Sequence, residues 1–78
     1  MSKKAELIWN FNGEDALKTA EHRLLHLKEF AQMEAVPILT YGVNKTSSLS
    51  YEAFVVIEMK WVEKLRTKLR PNKGFAID

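Results

Sequence analysis

Between Glu52 and Glu58 the chain carries five apolar residues in a row, Ala53, Phe54, Val55, Val56 and Ile57. Most are β-branched or aromatic, so residues 51–59 read as a strand buried on both faces. Such a strand needs a neighbour on each side and an apolar layer above it. That requirement narrows the folds open to so short a chain.

The 78 residues form one domain, 1–78, without cysteine. A chain of this length hides only about 60% of its unfolded surface on folding, and neither disulfides nor a thiolate metal site can brace it. Stability must come from packing, and association with a partner or a second copy is a natural supplement. Met1-Ser2-Lys3-Lys4 leads into no apolar run of signal-peptide length, and no stretch approaches the roughly 20 apolar residues of a membrane span. The expectation is a soluble, unexported, cytoplasmic protein.

Along the first segment Ala5, Leu7, Trp9 and Phe11 alternate with Glu6, Ile8 and Asn10, the period of a strand with one buried face, Ile8 being the exception. Asn12 is expected to cap a following helix, with Glu14 and Asp15 at its positive end. That helix presents Leu17, Ala20, Leu24, Leu27 and Ala31 as its apolar stripe, flanked by Ala16 and Phe30, and should run to Met33 or Glu34 before Pro37. Residues 38–43 predict a second strand, and residues 44–48 a polar connection into the apolar strand, completing a hairpin. After Met59 the period changes. Trp61, Val62, Leu65 and Leu69 share one side of a short helix that Pro71 and Asn72 end, and Phe75 and Ile77 fit a final edge strand.

The order β-α-β-β-α(-β) predicts an α+β, two-layer sandwich, ferredoxin-like or a truncated version, with two helices on one face of an antiparallel sheet and the first and third strands central. In such a fold the second sheet face should be polar in a monomer. Here Ile8, Phe54 and Val56 are expected on it, joined by Tyr41, and a contiguous apolar patch of that kind marks an interface. The expected function is therefore protein–protein interaction without chemistry of its own. The domain would act as a small regulator or inhibitor, as a homodimer or docked on a larger partner.

Two other features compete with that expectation. The last third of the chain gathers Lys60, Lys64, Arg66, Lys68, Arg70 and Lys73, although the whole carries a formal charge of only +2. This basic surface could meet nucleic acid through phosphates, but the aromatic-rich strand motif of ferredoxin-like RNA binders is missing from EAFVVIEM. His22, His26 and Glu29 share a helix face at ligand spacing, yet Arg23 stands where a zincin helix has its glutamate. A polar solvated face accounts for them, and a small-molecule or metal-binding domain is the third possibility. The hydroxyls of Thr46, Ser47, Ser48 and Ser50 have no glycine beside them to form a phosphate cradle. No catalytic constellation and no cofactor is expected.

Overall fold

A computed structural model describes residues 3–77; Met1 and Ser2, half of the segment inspected for a leader, and Asp78 lie outside the described residues. Four strands and two helices follow in the order β1 (Lys4–Asn12), α1 (Ala16–Met33), β2 (Thr40–Ser47), β3 (Ser50–Glu58), a 3₁₀ turn (Met59–Trp61), α2 (Val62–Leu69) and β4 (Lys73–Ile77). The strands form one antiparallel sheet in the order β2-β3-β1-β4. The apolar stretch is thus central beside β1, as the alternation of β1 and the uninterrupted apolar run of β3 require. Among the described residues no helix is long and apolar enough to cross a membrane.

The register decides which side chains meet. Ala5, Leu7 and Trp9 stand opposite Ile57, Val55 and Ala53, and all six are buried. Leu7, Trp9, Val55 and Ile57 join Leu27, Ala31 and Val36 from α1 and its exit, and Leu65 from α2, in one cluster. Side chains from both helices thus enter this one cluster. Trp9 makes a further tie, its indole Nε1 donating to the Leu69 carbonyl across 2.9 Å and joining β1 to the last turn of α2.

α1 differs from expectation at its start. Asn12 is the last residue of β1, and its Oδ1 accepts a 2.6 Å hydrogen bond from Ser50 Oγ on β3 rather than one from the helix. The N-cap is Asp15, without a side-chain cap bond. Gly13 makes the turn between them at φ +110, and its N–H donates to the Leu49 carbonyl at the tip of the β2–β3 hairpin. A left-handed backbone at that point suits glycine alone. The buried line of α1 is Ala16, Ala20, Leu27 and Ala31. Leu17, expected on the stripe, is 40% exposed, since α1 turns the small Ala16 and Ala20 against the sheet.

The exit of α1 is a Schellman motif. Val36 N–H donates to Ala31 O at 2.8 Å and Ala35 N–H to Gln32 O at 3.3 Å, with Ala35 in the left-handed region at φ 58. The accompanying apolar contact is between Val36 and Ala31, both in the core cluster. An alanine at this position bears a steric cost that glycine escapes, and Ala35→Gly is expected to raise stability by about 1 kcal/mol. A thermal scan should show this as a Tm increase of roughly 4–8 °C; an unchanged or lower Tm would contradict the strained geometry.

β2 starts two residues later than the expected 38 and runs on to Ser47, so the predicted polar connection is mostly strand. Ser48 and Leu49 alone make the turn, and a register shift between Lys45 and Ser47 absorbs the extra residue. Cross-strand pairing overrides the low strand preference of Asn44 and Lys45. β4, expected from Phe75 and Ile77, is longer than those residues and pairs with β1 from Lys4↔Ile77 to Ile8↔Lys73.

Candidate functional site

The second face of the sheet follows from the same registers. Ile8 stands opposite Phe54 on one side and Lys73 on the other, while Glu6 stands between Val56 and Phe75. Val56 and Phe75 are therefore diagonal neighbours of Ile8, within reach of long side chains. Ile8, Phe54, Val56 and Phe75 form one apolar patch across three strands. Its members differ in exposure: Ile8 and Val56 are nearly closed off at 6% and 7%, while Phe75 stands out at 52%. The aliphatic centre is thus covered, Phe54 is partly buried, and Phe75 is the exposed member.

Phe54 reaches sideways over β2. A methyl group built on Gly42, its cross-strand partner, would lie 2.8 Å from the Phe54 ring. The ring therefore occupies the space that a side chain would take at Gly42, the arrangement by which an aromatic residue covers a strand glycine.

Tyr41 does not belong to this patch, which corrects the expectation from sequence. It pairs with Val55 and so points to the side of the buried cluster, where Lys28 of α1 holds its Nζ 4.2 Å from the ring centroid. The reason is register, because strand side chains alternate and a position one residue away lies on the other face. Phe75 takes the place expected for Tyr41. Its spacing from Lys73 and Ile77 contained the signal, but the face it joins depends on pairing with β1.

Five of the six basic residues lie along the 3₁₀ turn, α2 and its C-cap, and the sixth, Lys73, lies on β4. Lys64 Nζ lies 3.2 Å from Glu34 Oε1, and Arg66 Nη2 donates to Glu63 Oε1 at 2.9 Å. Lys60 and Lys64 sit 5.4 and 5.8 Å from the centroid of the half-buried Trp61 ring. Arg70 closes α2 in left-handed geometry, its N–H donating to Arg66 O, at the helix end where a cation is favoured anyway. Lys68 is exposed on α2. Lys73 lies on β4 beside Ile8, on the sheet face rather than on the helix.

His22 and His26 face each other, with Nε2 atoms 3.0 Å apart and ring centroids 4.5 Å apart in an edge-on arrangement. His26 Nδ1 lies 3.7 Å from Glu29 Oε1, with both side chains largely exposed. They rim a shallow depression of about 660 Å³ whose apolar walls include Phe30, Met33 and Leu69. Among the described residues no group of three or more His, Cys, Asp or Glu side chains is placed to hold a metal ion. Ser47 and Ser50 are ladder partners at the hairpin end, and Ser50 Oγ donates to Asn12 Oδ1. Comparison of the chain with protein-family models and with curated proteins gives no match to either.

Proposed function

We propose that this chain is a ferredoxin-like domain that works as a non-enzymatic protein-interaction module, docking its second sheet face on a larger partner and regulating or inhibiting it by occupying a surface. The strand order β2-β3-β1-β4 and the cluster that takes in both helices support the ferredoxin-like arrangement. The observation that carries the interaction reading is the patch of Ile8, Phe54, Val56 and Phe75. Its exposed member, Phe75, is aromatic, a side-chain type enriched at interfaces, and charged neighbours of both signs adjoin the patch, Glu6 between Val56 and Phe75 and Lys73 beside Ile8.

The test compares capture of partners by wild type, Phe75→Lys and Lys68→Glu. Phe75 is half exposed, so its replacement should shift stability by no more than about 0.5 kcal/mol and abolish capture, while Lys68→Glu should leave capture intact. Equal capture by wild type and Phe75→Lys sinks the proposal. Capture lost in Lys68→Glu, and steeply weakened by salt, would instead assign the partner to the basic helix.

A further inference from the structure

The two edges of the sheet are unlike. β4 has five residues, and shortness protects an edge, whereas β2 has eight. The usual guards on β2, a lysine and a bulge, sit together at its hairpin end, at Lys45 and between Lys45 and Ser47. Residues 40–44 carry no charge and no proline, so their outward N–H and C=O groups form an open template for another strand.

Exposed apolar side chains border that template. Leu39 is 46%, Tyr41 49% and Leu25 of α1 53% exposed. Two depressions follow the line between α1 and β2. One, of about 240 Å³, holds Lys28, Ile38 and Tyr41; the other, of about 400 Å³, holds Leu24, Leu25 and Val43. A strand added here must offer apolar side chains at alternate positions toward α1 and small or polar ones on the other face. β2 has that pattern itself, with Tyr41 and Val43 on the cluster side and Gly42 and Asn44 on the other.

We propose that the outer edge of β2 binds a second copy of this chain, the two β2 strands pairing antiparallel about a two-fold axis at Val43. The two four-stranded sheets then become one continuous sheet. An axis normal to the sheet keeps both buried clusters on the same side. Because Leu25 and Val43 line one depression, the exposed Leu25 of each copy is brought beside the axis. The register also settles the charges: Gly42 of one copy faces Asn44 of the other, and Tyr41 faces Lys45, which offers the ring a second cation. Pairing centred on Lys45 would set like charges opposite each other. The second face, with Phe54 and Phe75, stays free for the partner proposed above.

Sedimentation equilibrium at micromolar to millimolar protein tests the proposal. The wild type is expected at twice the 9.0 kDa chain mass, with β2 amides exchanging more slowly as concentration rises and β4 amides unaffected. Tyr41→Lys sets two lysine pairs across the axis and should give a monomer of unchanged far-ultraviolet circular dichroism. Adding Lys45→Glu to it restores opposite charges and should restore the dimer. A monomeric wild type, or a dimer that survives Tyr41→Lys, overturns the proposal. A double variant that stays monomeric overturns the Val43-centred register, and a dimer lost in Phe75→Lys but not in Tyr41→Lys places self-association on the second face instead.

Discussion

Trp9→Ala should remove roughly a quarter or more of this protein's stability. The residue is 3% exposed in the centre of the cluster, and truncating a buried tryptophan costs about 3–5 kcal/mol. A 78-residue domain commands only about 4–12 kcal/mol in total, at roughly 0.05–0.15 kcal/mol per residue. Urea unfolding should therefore show a midpoint lowered by roughly a quarter or more, and a loss below about 1 kcal/mol would mean the cluster is not what holds the sheet to α2. Trp9→Phe separates packing from hydrogen bonding, because it keeps much of the ring but strands the Leu69 carbonyl that Nε1 now satisfies. That bond is part-buried, so leaving the acceptor unpaired costs at most about 1–3 kcal/mol. Trp61 supplies the contrast: its Nε1 is buried without a hydrogen-bond partner among the described residues, so Trp61→Phe should cost less than Trp9→Phe in the same assay.

Leu65→Ala is expected to cost about 2–5 kcal/mol, with the damage concentrated in α2. Leu65 is the one buried residue of that helix, at 2% exposure. Helices below about 12–15 residues are marginal in water on their own, and α2 has eight. What keeps it folded is Leu65 in the cluster, the Trp9–Leu69 bond and the Lys64–Glu34 pair; the last is half exposed and contributes little. Without the leucine, α2 should open locally while the sheet persists. Amide hydrogen exchange resolves this: faster exchange confined to α2 is the expected result, whereas equal acceleration in β1 and β3 would show that α2 unfolds only with the whole domain.

Much of the architecture was legible in the chain because it rests on local periodicity. The alternation of Ala5, Leu7, Trp9 and Phe11 marks β1 whatever its neighbours, and the three-and-four spacing of Ala20, Leu24, Leu27 and Ala31 marks α1. The failures lie where a local signal met a distant partner. Asn12 has the chemistry of a helix cap, but β1 pairs with β3 as far as Ser50, and that pairing claims its side chain. Residues 44–47 look like a loop and are strand, since β3 offers them a ladder of hydrogen bonds.

The candidate surface divides in the same way. From the sequence alone it followed that Phe54 and Val56 face away from Val55 and Ile57, because adjacent strand residues cannot share a face. Only the tertiary structure decided what meets them there. Pairing of β4 with β1 brings Phe75 beside Ile8, the pairing of β2 sends Tyr41 to the opposite side, and the absence of a side chain at Gly42 lets the Phe54 ring lie down over β2. The sheet order leaves β2 at an edge with its backbone groups turned outward. Periodicity belongs to a segment, whereas register and edges belong to pairs of segments far apart in the chain, so the first is written in the residues and the second appears only on folding.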